Sequence, residues 1–157
     1  MKPIVESCAH EVLETVPMVM RFIRGQVRRR RLAGLSLPQF RALIFLNRVK
    51  DSSLSAVAGH LGLTPPAASR LINGLVTSRL VKRQTVSTNR RQIALTLTAR
   101  GRVTLEKVRG EIRLQLAGWL RTLSVPEQKN VQRAMRTLHR VFDYQAATAG
   151  KTGRSDT

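Results

Sequence analysis

Four polar side chains, spaced for one side of a helix, could contact base edges in a DNA groove. They recur at helical intervals between Thr64 and Ser78, and they are Ser69, Arg70, Asn73 and Thr77. Arginine can form a bidentate pair with the O6/N7 edge of guanine, and asparagine with the N6/N7 edge of adenine. An ordinary amphipathic helix with a solvated polar side has the same spacing, so the neighbouring segments must decide between the two interpretations.

The helix that would carry these side chains is predicted over residues 65–78. Thr64 suits the N-cap, and Pro65 suits the first helical position, where a missing N–H costs nothing. The side opposite the polar residues is apolar and would pack against a preceding helix; it consists of Ala68, Leu71, Ile72, Leu75 and Val76. This periodicity predicts a helix that is buried on one side and free for base contacts on the other.

The segment before this helix is predicted to be a shorter helix that ends in a tight turn. Ser55 can cap it and Gly62 can supply the turn. Its inward-facing residues would be Val57, Ala58 and Leu61. Leu54 is expected on a short extended piece that pairs with later strands.

Two short strands joined by a basic loop follow the helix over 65–78. Ile93, Leu95 and Leu97 alternate with polar or small residues, a pattern typical of a half-buried strand. The loop, residues 87–91, forms a wing that holds Asn89, Arg90 and Arg91, and we expect Arg91 at a minor groove. Phosphate contacts are expected from Lys82, Arg83 and Arg90. The whole succession, about residues 38–98, predicts a winged helix-turn-helix.

The flanking segments, about residues 4–31 and 99–144, are predicted to be dimerisation helices. Pro17 should break or kink the first, because proline removes a backbone hydrogen bond. A stop and restart is expected in the second, at Ser124–Glu127. Neither segment has an obvious partner within the winged helix, so a homodimer is expected.

The predicted fold class is therefore mainly α with a small β-wing. One domain is expected over residues 1–150, followed by a disordered tail at 151–157. The run Arg28 to Arg31 at the end of the first helix has two interpretations: a solvated basic end, or a set of contacts to DNA phosphates.

Charge and composition narrow the class of partner. The chain has 28 Lys and Arg against 9 Asp and Glu, a formal net charge of +19. This excess favours polyanions as partners, nucleic acid first and an anionic membrane surface second.

With one cysteine and no apolar run long enough to span a bilayer, a cytoplasmic protein is expected. No catalytic or phosphate-binding motif and no metal-ligand spacing is present, so no enzyme, metal or cofactor is predicted.

Five short motifs, in this order, resemble those of MarR-type transcriptional regulators. They are Leu35–Arg41, Leu61–Pro65, Ser69–Leu71, Asn89–Arg91 and Leu97–Arg102, within about residues 16–142. The resemblance implies a dimeric winged-helix protein, usually a repressor, whose affinity for DNA is often lowered by a small ligand or by oxidation.

The resemblance also suggests where a ligand could bind. Phe22, Phe40 and Phe45 could line a pocket for a lipophilic or aromatic ligand, or they could simply be core residues. Cys8 does not match the sensing cysteine that some relatives carry, and the acidic residues near it disfavour a reactive thiolate.

Two residues depart from the family pattern. Asn89 stands where the family usually has an aspartate that orients the wing arginine, and an amide binds a guanidinium more weakly than a carboxylate. Arg79 stands where the family tends to have glycine, at the end of the predicted recognition helix. A left-handed conformation at Arg79 would be strained.

The sequence thus predicts a dimeric, sequence-specific regulator, a repressor in the first instance, with double-stranded DNA as its partner. The alternative is a non-specific or architectural nucleic-acid-binding protein driven by charge. Alignment of Ser69 and Asn73 with Arg70 favours the first, because a binder that uses charge alone does not need it.

Overall fold

The computed structural model describes residues 3–30, 34–86 and 89–152, and it describes side chains at 3–29, 34–85 and 93–143. Within these ranges the chain forms helices and one antiparallel hairpin. In chain order the elements are α1 (Ile4–Arg30), α2 (Leu37–Arg48), α3 (Leu54–Leu61), α4 (Pro65–Thr77), β1 (Val81–Val86), β2 (Asn89–Leu97), α5 (Ala99–Leu120) and α6 (Val125–Thr152).

Helix α1 runs through Pro17 without a break, so the expected division into two helices is wrong. Proline removes one backbone N–H donor from the helix, and the carbonyl it leaves unpaired is that of Leu13. Both residues are exposed. Water can therefore satisfy this carbonyl, although the clash of the proline ring with it remains as a cost to the helix.

Side-chain caps set the starts of α2 and α3. Ser36 and Gln39 form a reciprocal capping box, in which each side chain accepts a hydrogen bond from the other's backbone N–H. Helix α3 is capped by Ser53 rather than by the expected Ser55. The bridge to the hairpin is also earlier than expected: the Ser52 carbonyl accepts from the Leu95 N–H at 2.8 Å, and Leu54 is already helical. Ser52 directly precedes the capping residue Ser53, so its carbonyl can pair with β2 while α3 begins at the residues that follow.

The turn between α3 and α4 matches the prediction. Gly62 adopts a left-handed conformation with φ of 67°. Thr64 occupies the N-cap of α4 and Pro65 begins the helix, but the Thr64 side chain makes no capping hydrogen bond. The position of the N-cap was therefore predicted correctly, although the Thr64 hydroxyl does not cap the helix.

Strands β1 and β2 pair antiparallel, with Val81 opposite Leu97 and Val86 opposite Asn89. Residues 89–91 were expected in the loop, but strand β2 begins at Asn89, so their backbone belongs to the strand. The register shifts between Thr85 and Val86, and this irregularity lets the ladder continue past the position where the alternation pattern stops.

The chain divides into two compact units, Met1–Arg113 and Leu114–Thr157. The fully buried side chains of the first unit come from every element it contains, and the largest include Leu43, Ile72, Leu75, Leu95 and Leu105. In the second unit, large apolar side chains of the described residues remain exposed, including Trp119, at 71%, and Phe142, at 59%. One domain over residues 1–150 stays a prediction.

Helix α6 begins at Val125, where a restart was predicted, and hydrogen bonds between Ser124 and Glu127 cap its start. The Ser124 backbone N–H and hydroxyl both donate to the Glu127 carboxylate, at 2.7 and 2.6 Å, and these hydrogen bonds lower the pKa of Glu127. Helix α6 then continues to Thr152, about eight residues beyond the predicted end. Of the expected disordered tail, residues 151–152 are helical, and 153–157 lie outside the described residues.

Candidate nucleic-acid interface

The two sides of α4 differ as the sequence pattern predicts. The exposed side brings together Arg70, Asn73 and Thr77, with Ser69 half-buried at its margin. The buried side consists of Ala68, Ile72 and Leu75, with Leu71 and Val76 half-buried. The helix is therefore fixed through its apolar side, and its polar side is free to meet a ligand.

The end of α4 is held by a Schellman arrangement. Arg79 has a left-handed φ of 59°, as expected at the position where the family tends to have glycine. The Leu80 N–H donates to the Leu75 carbonyl and the Arg79 N–H to the Val76 carbonyl, each at 2.9 Å. Leu80 is buried. The chain thus reverses tightly enough to bring β1 beside α4.

The first turn of α5 locks onto this reversal. The Thr98 N–H donates to the Leu80 carbonyl at 3.0 Å, and the Thr98 hydroxyl lies 2.7 Å from the Arg79 carbonyl. The same hydroxyl accepts from the Gly101 N–H at 2.9 Å, so Thr98 caps α5 as predicted. A Cβ on Gly101 would lie 2.0 Å from the Leu80 carbonyl oxygen. Only glycine permits this approach.

Strand β1 supplies a side chain that contacts the exposed side of α4. The Arg83 guanidinium donates a hydrogen bond to the Asn73 side-chain oxygen. Arg83 stands opposite Leu95 in the ladder, and directly opposed residues share a face of the sheet. Leu95 is buried, so Arg83 leaves the hairpin on its core-facing side, beside α4.

Lys82 lies on the other face of β1 and away from Asn73, because successive strand residues alternate between faces. It lines an open cavity of about 470 Å³ together with Lys50, Gln84 and Arg102. The Arg102 guanidinium donates to the Leu97 carbonyl at 3.2 Å. Strand alternation could have separated Lys82 from Arg83, but no sequence signal brings Lys50 and Arg102 to the same cavity.

The wing residues Asn89, Arg90 and Arg91 are described only by their backbone, in the first residues of β2. Their expected DNA contacts therefore stay predictions. Arg28 and Arg29 are exposed in the last turn of α1, while the side chain of Arg30 and all of Arg31 lie outside the described residues.

The three phenylalanines expected around a ligand pocket have different surroundings. Phe40 is a core residue at 4% exposure, and Phe22 is half-buried on α1. Phe45 stacks on His60, with ring centroids 4.4 Å apart. Burial, and after it the charges of Arg41 and Arg48, lowers the pKa of His60, which favours the neutral ring in this stack. A pocket lined by all three stays a prediction.

Three further observations concern membrane spans, metal ligands and the single cysteine. In the described ranges no helix is long and apolar enough to cross a membrane. Nor do three His, Cys, Asp or Glu side chains come together there as candidate metal ligands. Cys8 is an exposed free thiol.

A helix with one buried side, a preceding helix joined to it by a tight turn, and a following antiparallel hairpin define a winged helix-turn-helix protein. Comparison with known proteins gives the family. The model of the MarR family matches residues 33–92. The HTH-type transcriptional repressor Rv2887 of Mycobacterium tuberculosis is 30% identical over 105 residues, which is 67% of this chain and 76% of the relative. The chain belongs to the MarR family of transcriptional regulators.

Solved structures share the fold. RV1404 of M. tuberculosis superposes with a TM-score of 0.71 at 23% identity, covering 91% of this chain and 97% of that one. The complex of Rv2887 with salicylic acid gives 0.62 at 25% identity, covering 83% and 94%. A MepR variant of S. aureus bound to an oligodeoxyribonucleotide gives 0.60 at 15% identity, covering 85% and 96%. The predicted fold class, mainly α with a small β-wing, is confirmed.

Proposed function

We propose that the protein is a dimeric, sequence-specific DNA-binding repressor in which α4 enters the major groove. The observation that carries this proposal is the exposed side of α4, where Arg70, Asn73 and Thr77 stand together on a helix anchored at its back and at its end. Arg70 and Asn73 would read bases, with Ser69 at the margin.

The distribution of charge supports the same proposal. Residues 52–105 contain no Asp or Glu, and their cations are Arg70, Arg79, Lys82, Arg83, Arg90, Arg91, Arg100 and Arg102. A stretch of a single sign attracts the phosphate backbone and speeds association. We assign phosphate contacts to Lys82, Arg83, Arg90 and the Arg28–Arg31 run, and a minor-groove contact to Arg91.

Exposed apolar surface on the flanking helices supports a homodimer. Helix α1 exposes Ile4, Val5 and Leu13. In the second unit, α6 and the end of α5 border an open groove of about 870 Å³ lined by Leu120, Val125, Val131 and Met135. Apolar patches of this kind mark protein interfaces, since a monomer rarely leaves them in water.

Light scattering tests the dimer. Met135→Lys places a charge in the groove and should yield a monomer at concentrations where the unmodified protein is a dimer. Asn130→Lys adds the same charge at an exposed polar position of α6 and should leave the dimer intact. Two dimeric variants would exclude the α6 groove from the interface.

A binding titration tests sequence-specific recognition. A duplex from the gene's own upstream region and a scrambled duplex are titrated at two salt concentrations. A repressor should bind the upstream duplex about 10³-fold or more tightly than the scrambled duplex at physiological salt, while its affinity for both falls as salt rises. Arg70→Ala should cost about 1–3 kcal/mol on the preferred duplex only. An equal loss on both would exclude Arg70 as a reader of bases.

The net charge of +19 keeps a second function in view, that of a non-specific or architectural nucleic-acid binder. The same titration separates the two functions if it is repeated on a pool of genomic fragments. A charge-driven binder would retain every fragment with similar affinity and lose all of them together as salt rises.

We also propose that a small organic acid lowers the affinity for DNA. Rv2887 has been solved with salicylic acid. In this chain the cavity of about 470 Å³ is lined by three cations, Lys50, Lys82 and Arg102, and by one carboxylate, Asp51, so the cations outnumber it. The buried side chains of Leu46 and Leu97 also line the cavity, and its volume suits a small ligand. Arg102→Met should abolish release from DNA by salicylate. Because Arg102 also belongs to the cationic stretch, release is measured against the variant's own affinity for DNA without salicylate. Full release from this variant would place the ligand elsewhere, for instance at the phenylalanines.

A further inference from the structure

The hydrogen bond between Arg83 and Asn73 fixes which end of the Asn73 amide faces the hairpin. The two residues lie on different elements, β1 and α4, and both side chains are exposed. A guanidinium has only donors, so the amide atom that faces it must be the oxygen. The amide nitrogen, with its two N–H donors, is then directed away from Arg83.

From this orientation we infer that Arg83 is a positioning residue that makes Asn73 a hydrogen-bond donor toward DNA. The inference rests on the proposed function, in which α4 lies in the major groove. A donor suits base edges that carry acceptors without an amino group: N7 and O6 of guanine, or O4 of thymine. Adenine also has an acceptor, N7, but its amino group, like that of cytosine, needs the amide oxygen as its acceptor, so a donor alone can form only one of the two contacts with adenine.

The Asn73 oxygen has a second lone pair, but Arg83 makes it a poor acceptor for a base. Hydrogen bonds from a charged donor are about twice as strong as neutral ones, so the oxygen is already well satisfied. A base amino group that approached this oxygen would also meet the positive guanidinium beside it. The bidentate pair with adenine that the sequence suggests for Asn73 is therefore disfavoured in this protein.

The position of Arg83 is set by the packing of the hairpin. Its ladder partner Leu95 is buried, and the Leu95 N–H is tied to the Ser52 carbonyl ahead of α3. The strand that presents the guanidinium is therefore attached to the same core as α4. Lys82, the next residue along β1, carries the same charge on the opposite face and cannot substitute for Arg83.

Selection from a randomised duplex pool, with the full chain, tests the inference. The position that loses its preference in Asn73→Ala identifies the base that Asn73 contacts. The unmodified protein should enrich guanine or thymine there. Arg83→Ala frees the oxygen and should shift the preference toward adenine by about tenfold, the size of one good bidentate pair.

Two matched variants separate positioning from loss of charge. Arg83→Lys keeps a cationic donor for the Asn73 oxygen and should keep the guanine or thymine preference. Lys82→Ala removes one charge from the other face of β1 and should weaken binding to all sequences without changing the preferred base. Adenine at this position with the unmodified protein, or an unchanged preference in Arg83→Ala, would overturn the inference. A pool with no enriched sequence would instead overturn the proposed function, and the inference with it.

Discussion

Gly101→Ala should be among the most destabilising single-methyl additions in this chain. The new Cβ would lie 2.0 Å from the Leu80 carbonyl oxygen, whereas favourable carbon–oxygen contacts begin at about 3.3 Å. The carbonyl must then retreat by about 1 Å, which disrupts the hydrogen bond it accepts from the Thr98 N–H; the single proton of the Thr98 hydroxyl is closer to the Arg79 carbonyl, at 2.7 Å, than to this one, at 3.2 Å. The lost bond contributes about 1 kcal/mol and overpacking costs about 1–3 kcal/mol, so we expect a loss of about 2–4 kcal/mol.

Gly110→Ala is the matched control on the same helix. Nothing lies within 4 Å of a Cβ at Gly110, so the substitution should gain about 0.5–1 kcal/mol from the better helix propensity of alanine. Urea unfolding followed by circular dichroism measures both variants at one protein concentration, because the stability of a dimer, the proposed state, depends on concentration. Equal stability of the two alanine variants would refute the close approach of α5 to Leu80.

Substitutions at Arg79, Ser36 and His60, with controls for the first two, test the local structure by the same unfolding assay. Arg79→Gly should stabilise by about 0.5–1 kcal/mol, because removing left-handed strain of about 1–2 kcal/mol outweighs the entropy of glycine; Arg79→Ala, which keeps the strain, should not. Ser36→Ala should cost about 1 kcal/mol by opening the capping box, whereas Thr64→Ala, which loses no capping bond, should cost only a few tenths. Because the pKa of His60 is lowered in the folded protein, the unfolded chain binds a proton at this residue more tightly as the pH falls. The contribution of His60 to the free energy of unfolding should therefore be fully present above about pH 6.5 and decline below it. His60→Gln should reduce that decline, and an equal decline in both proteins would contradict the assignment.

Features that depend on near neighbours in sequence could be predicted without a structure. The two sides of α4 follow from helical periodicity, the turn at Gly62 from glycine's freedom, and the cap at Thr98 from a hydroxyl before a helical pattern. The left-handed conformation at Arg79 was suggested by the resemblance, since the family tends to have glycine there, although a turn built differently would also have fitted the sequence.

Other features depend on what lies across the fold, and there the sequence pattern was ambiguous or misleading. Ser53 and Ser55 are equally good caps locally, and the bridge from Ser52 to Leu95 decides between them. Pro17 suggested a helix end because proline disfavours helices, but α1 runs through it. Exposure lets water reach the Leu13 carbonyl, whereas the clash of the proline ring with that carbonyl remains, so the helix bears a cost of up to about 3 kcal/mol there. The contact between Arg83 and Asn73 depends on the face from which β1 presents its side chains, which periodicity in α4 alone cannot show.

Besides its buried apolar side, helix α4 is held by backbone groups at one junction. The Leu80 N–H donates to the last turn of α4, and the Leu80 carbonyl accepts from the N–H of Thr98, just before α5. Gly101 allows α5 to approach Leu80 closely. Backbone hydrogen bonds at this junction do not depend on the identity of the exposed side chains. Residues on the outer side of α4 can therefore differ between regulators without loosening the helix. Asn73 is different in this respect, because its hydrogen bond to Arg83 joins α4 to β1 through two exposed side chains, and a change in either one alters what the other can offer to a base.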